Sequence, residues 1–190
     1  MSWPNHLSLH DAFVAVLVTA PSTFPAGSLL RLSRPDDLLP LHTRCFAHIP
    51  FNRFNDTFQR SLREQSQGNR LRLVIAKDKA IVATGQLLTP NGQAEIADLF
   101  VVESHRSQGL GTAIITLLTA IAGRAGFDSI EIGVVTSNQR ALALYQQLGF
   151  THDRDLRLPG SEPALILRKE LGSDRRQVAN GNQLSELHKF

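Results

Sequence analysis

The chain has 190 residues, 42% of them apolar and 19% charged, which suits one soluble domain with a real core. Its net charge of +3 fits an anionic small ligand as well as nucleic acid, so charge alone selects neither. A single cysteine, Cys45, excludes an internal disulfide, and the seven scattered histidines lack the spacing of a zinc site, so no metal is expected.

Taken in chain order, the first apolar run is residues 12–20. It is too short to span a bilayer, and no Lys or Arg precedes it as a signal peptide would require. It reads as an extra strand or helix packed on a cytoplasmic domain, with a cleaved signal as the alternative. Pro and Gly punctuate residues 20–27, so residues 1–27 form an N-terminal extension. Residues 28–32 read as a strand. Ser33 and Pro35 then open a first helix, and residues 56–67 a second, stopped by Gly68 and Asn69. Strands are expected at 70–76, where Leu71, Leu73 and Ile75 alternate, at 80–88 and at 94–102. Asn91-Gly92 marks the second of the two hairpin turns in this meander. Apolar spacing from Leu110 to Ala125 gives a four-turn helix ended by Gly126. A strand at 129–135 follows, then a helix capped by Asn138 and closed by Gly149, and two last strands at 150–158 and 162–171. Residues 172–190 are a polar tail with room for one short helix. The fold class is therefore α/β: a mixed sheet with helices on both faces, and a crossover helix making strands 94–102 and 129–135 parallel.

Two glycines one residue apart, Gly109 and Gly111, stand where a strand gives way to the longest helix. A helix start carries unpaired N–H groups and partial positive charge, and residues without Cβ let an anion approach them. Arg106 adds charge at the rim. The segment reads as a phosphate or pyrophosphate cradle, with a plain tight turn as the alternative. A Walker A loop would need Gly-Lys-Ser/Thr, whereas Thr112-Ala113 follows Gly111. A dinucleotide fingerprint wants a third glycine where Ile114 stands.

Residues 138–150 decide between these. Arg106-Ser107-Gln108-Gly109-Leu110-Gly111 matches Gln/Arg-x-x-Gly-x-Gly/Ala, and Asn138, Ala141, Leu144, Tyr145, Gly149 and Phe150 match its companion motif. Over residues 28–171 the chain resembles the GCN5-related N-acetyltransferase (GNAT) superfamily. The resemblance implies a GNAT domain there, with splayed parallel strands and acetyl-CoA as co-substrate. Backbone groups of Leu99, Phe100 and Val101 would bond the pantetheine arm, Arg106, Ser107, Gln108, Gly109, Leu110, Gly111 and Thr112 the pyrophosphate, and Asn138 the arm from the far side.

It further implies direct acetyl transfer to a primary amine of a small molecule or protein, with no acyl-enzyme. Tyr145, the only tyrosine, would protonate the leaving thiolate, against the alternative of a core aromatic. A lysine-like amine, with a pKa of about 10.4, must lose a proton. Glu95 is the first carboxylate that could take it, Asp98 the second and Glu131 the third. Gly133 stands where the branch acting on ribosomal-protein N-termini has a glutamate, which places that substrate class in doubt. The acceptor wall would be residues 45–58, rich in phenylalanine (Phe46, Phe51, Phe54, Phe58) and including His48. Cys45 reads as buried packing. Neither nucleic acid nor a membrane is expected as a partner, and a homodimer is compatible with the sequence. A coenzyme A-binding module without turnover is the alternative to an enzyme.

Overall fold

The structure, a computed structural model, describes residues 7–19 and 27–172. The short helix expected in the C-terminal tail lies outside them. Among the described residues five α-helices and seven strands follow in the order α1 (Leu9–Thr19), β1 (Ser28–Leu32), α2 (Leu38–Cys45), α3 (Phe51–Ser66), β2 (Arg70–Lys77), β3 (Ala80–Leu88), β4 (Ala94–Val101), α4 (Leu110–Ala125), β5 (Ser129–Val135), α5 (Gln139–Gln147), β6 (Thr151–Leu156) and β7 (Ala164–Glu170). The strands form one sheet in the order β1-β2-β3-β4-β5-β7-β6, antiparallel except for β4 and β5.

Local chemistry explains the turns. The β2–β3 loop is two residues long, and both Asp78 and Lys79 take positive φ (49° and 64°). Asn91 and Gly92 do the same between β3 and β4, at 51° and 78°. Positive φ at both central residues matches the twist of paired strands.

Two apolar clusters fill the two faces. The larger gathers Leu71, Leu73 and Ile75 of β2, the inner residues of α4 and Leu9, Ala12, Phe13 and Val16 of α1. The expected N-terminal element is thus a helix, packed on α4. The smaller cluster holds Leu41 and Cys45 of α2, Phe54 and Phe58 of α3, and Val74 and Ile81 of the sheet. Helix α3 corrects the expectation of a start at residue 56: it begins at Phe51, directly after Pro50. Proline ahead of the first turn has no N–H to lose, and Phe51, Phe54 and Phe58 already had helical spacing. The link between the first two helices is therefore residues 46–50, and three of the four phenylalanines expected in it stand on α3 or face its core.

Strand β4 positions everything that follows. It pairs with β5 only through Ala94–Ile130, Glu95–Glu131 and Ile96–Ile132. Beyond this, Asp98 adopts φ 48° and the register against β3 slips between Thr84 and Gln86. The bulge turns the second half of β4 away from β5, so the parallel strands splay. Gly85 sits opposite the bulge, and a Cβ there would lie 2.6 Å from Ile114 Cγ2 of α4. Gly85→Ala should therefore cost about 1–3 kcal/mol of stability by overpacking, read as a lower denaturant midpoint. An unchanged midpoint would show that α4 can withdraw freely.

A candidate active site in the opening between β4 and β5

A cleft of about 680 Å³ occupies the splay. Leu99, Phe100 and Val101 form one wall. Arg106, Ser107, Gly109, Leu110, Gly111 and Thr112 line the end near α4, and Asn138 and Tyr145 line the opposite side. Gln108 does not line it; its side chain donates to the Ser104 carbonyl at 3.4 Å.

The loop before α4 is built for unpaired donors. Ser107 and Gly109 both take left-handed φ (61° and 78°), and Gly109, the N-cap, makes no side-chain cap. The Ala113 amide is bonded to the Gly109 carbonyl at 2.9 Å, so the preceding amides at Leu110, Gly111 and Thr112 fall in the first turn, where a helix supplies no acceptor. A Cβ on Gly111 would meet Leu144 and Val101 only at an ordinary 3.8 Å, and one on Gly109 would meet nothing within 4 Å. Protein packing does not demand a glycine at 111. The space its hydrogen leaves open belongs to the cleft, as a phosphate group would need.

Charge agrees. Among the described residues lining the cleft, Arg106, Arg140 and His105 are basic and none is acidic. Arg106 Nε donates to the Val101 carbonyl at 3.2 Å, and Arg140 Nη2 to Ser107 Oγ at 2.9 Å. Arg140 was missed in the sequence, although its place in the first turn of the helix capped by Asn138 was a usable signal. That cap is present: Asn138 Oδ1 accepts from the Ala141 amide at 3.1 Å. Its amide nitrogen has no partner among the described residues.

Tyr145 is buried, 7% exposed, with its ring 6.3 Å from that of Phe150. Its hydroxyl has no hydrogen-bond partner among the described residues while the residue lines the cleft. Burial raises the phenol's pKa, keeping it protonated at neutral pH.

The carboxylates separate. Asp98 lines a second pocket of about 440 Å³ on the α2–α3 side of the sheet. Its Oδ2 accepts from Arg72 Nη2 and Gln86 Nε2, both at 2.7 Å. Glu95 lines neither cavity; it lies beside Glu131 across the parallel pair. Glu131 is held by Arg154 through two bonds of 3.0 and 2.8 Å. Burial first, and Glu131 second, raise the Glu95 pKa. Such a group lends stability when protonated and loses it as pH rises through its raised value. Glu95→Gln should thus melt at or above the wild-type temperature at pH 8, with the advantage vanishing below about pH 4. A wild type that is the more stable at pH 8 would contradict this.

Cys45 is buried, and desolvation pushes its thiol up to about 11, so it is no nucleophile. Among the described residues no helix is long and apolar enough to cross a membrane.

The family model for the GNAT acetyltransferases matches residues 36–150, which hold both the glycine loop and Tyr145. The chain belongs to the GNAT acetyltransferase family. GNAT relatives by sequence include the uncharacterised N-acetyltransferase YobR of Bacillus subtilis, 30% identical over 73 residues, 38% of this chain and 30% of YobR. The uncharacterised N-acetyltransferase MJ1207 of Methanocaldococcus jannaschii is 37% identical over 57 residues, 30% of this chain and 25% of that protein. The match therefore spans under a third of either relative. Solved GNAT folds superpose over most of their length. The ribosomal-protein-S18-alanine N-acetyltransferase of Escherichia coli has a TM-score of 0.63 at 22% identity, covering 76% of this chain and 94% of that one. The dodecameric spermidine N-acetyltransferase of Vibrio cholerae gives 0.64 at 16% identity, covering 77% and 95%.

Proposed function

We propose that this GNAT protein is an acetyl-CoA-dependent N-acetyltransferase that moves acetyl directly to a primary amine. The observation that carries this reading is the uncapped start of α4, whose glycines leave their space to an acid-free cleft that also holds Tyr145. Residues 28–171 form the catalytic domain, in the cytoplasm, with residues 1–27 as an extension and 172–190 as a tail; a homodimer is compatible with it.

Bound acetyl-CoA supplies the thioester. The amides of Leu110, Gly111 and Thr112 hold its pyrophosphate, with Arg106 and Arg140 at the rim, and no counter-carboxylate there competes for them. The free edge of β4 at Leu99, Phe100 and Val101 bonds the amide-bearing arm as an added strand, because β5 has left that edge unpaired. Asn138 offers its amide nitrogen from the facing side. A backbone N–H at Phe100 or Val101 stabilises the oxyanion.

The amine arrives as an ammonium and must lose one proton before attack. Its nitrogen then bonds the carbonyl carbon, the C–S bond breaks, and the sulfur takes a proton from Tyr145. A second proton leaves as the amide forms, so the balance is ammonium plus thioester giving amide, free thiol and one proton. Asp98 has the better position for the first proton, since Arg72 and Gln86 both occupy Oδ2 and Oδ1 has no partner among the described residues. Glu95 has the better-tuned affinity. Losing the acidic limb of the pH–rate profile in Asp98→Asn or in Glu95→Gln identifies the base.

Calorimetry with acetyl-CoA, followed by thiol release on adding amines, tests the whole reading. Binding with amine-dependent thiol release is expected. Binding without release to any amine would leave a coenzyme-binding module, and no binding at all would end the proposal.

A further inference from the structure

The pocket on the α2–α3 side holds a cation that its neighbours do not satisfy. Arg72 is 1% exposed and sits on β2 among apolar residues. Its Nη2 bonds Asp98, but Nε and Nη1 have no partner among the described residues. Desolvation lowers its pKa, the mark of a cation held out of water. An arginine left so is costly unless another acceptor completes it.

The rest of the pocket says what that acceptor belongs to. Arg53 stands exposed in its lining, with no ion-pair partner among the described residues. Asp98 is the single carboxylate in the lining and is already bonded on one oxygen. Phe46, Phe54 and Phe58 supply an aromatic wall, with the first two rings 5.2 Å apart and Phe54 and Phe58 5.9 Å apart. Asp98 and Leu99 are adjacent in β4, yet Asp98 lines this pocket and Leu99 the other cleft.

We infer that this pocket takes the acceptor, and that the acceptor is a zwitterion of the α-amino-acid class with an apolar or aromatic side chain. Its ammonium meets the open Oδ1 of Asp98, its carboxylate meets the unpartnered Nη1 of Arg72, and its side chain lies against the phenylalanines. Phe46 lies over the guanidinium, its ring centre 5.7 Å from the guanidinium carbon, and covers one face of the cation. A polyamine would bring more positive charge to a pocket whose two arginines face one carboxylate. This inference rests on the proposed acetyl transfer.

The test compares ligands on the unaltered, acetyl-CoA-saturated protein. L-Phenylalanine, phenethylamine (the same ring and amine without the carboxylate), L-leucine and spermidine are assayed by thiol release. L-Phenylalanine binding is also followed by calorimetry. The amino acids should exceed phenethylamine in kcat/KM by about tenfold or more, the usual effect of a charge-assisted bond. Arg72→Met should bring the two phenyl compounds together through KM. Arg53→Gln, at an exposed position where folding is not at stake, should lower the preference less. Equal or better use of phenethylamine or spermidine overturns the inference, as does absence of heat from L-phenylalanine. Because acetyl-CoA binding is read separately, either result would leave the coenzyme site standing.

Discussion

Replacing Tyr145 by phenylalanine should lower the rate of acetyl transfer by about a hundredfold or more, the usual effect of removing a positioned general acid. Coenzyme affinity should hardly change, because the ring stays in its place beside Phe150 and Leu144 remains in the wall. The physical basis is the isolation of the hydroxyl. Tyr145 projects from α5 into a cleft without carboxylates, and burial holds its proton on through neutral and mildly alkaline pH. A phenol so placed can give its proton to a departing sulfur and recover one from solvent. Single-turnover kinetics with saturating acetyl-CoA would separate the chemical step from product release. If the variant turns over as fast as the wild type, Tyr145 is packing and the thiolate leaves unaided.

Gly111→Val should weaken acetyl-CoA binding by about tenfold or more, as expected when a charge-assisted contact is blocked. The fold should tolerate it. The first side-chain atom would rest at 3.8 Å from Leu144 and Val101, and the backbone of α4 there is ordinary helix. The loss would thus appear in the dissociation constant, with a melting temperature near that of the wild type. The same substitution at Gly109 would confuse the two effects, since φ 78° already disfavours any side chain. Normal binding by a folded Gly111→Val protein would remove the pyrophosphate from this loop.

Much of this site could be read before any coordinates. The glycine loop, the Asn138 cap and the periodicity of α4 are local features, set within a few residues, and the β2-β3-β4 meander and the parallel β4–β5 pair followed from turns and a crossover. The start of α3 was misplaced because Pro50 was passed over as a beginning. The pairing of Arg72 with Asp98 could not be read locally. The two are 26 residues apart, and three strands in register plus one bulge are needed to join them. Alternation along β2 marks Arg72 as lying opposite Leu71 and Leu73, but only cover from distant residues, Phe46 among them, makes it buried. Glu95 and Asp98 likewise look alike as strand carboxylates. The kink between them sends Asp98 into a pocket and leaves Glu95 beside Glu131.

That kink has a structural cost and a geometric return. By inserting one residue into β4 alone, it turns two consecutive residues, Asp98 and Leu99, toward two different cavities. Molecules held in the two cavities would then come together at the kink itself, with neither needing to pass the other. Straighten that segment and the strands close like a zip: donor and acceptor would lose their common threshold together.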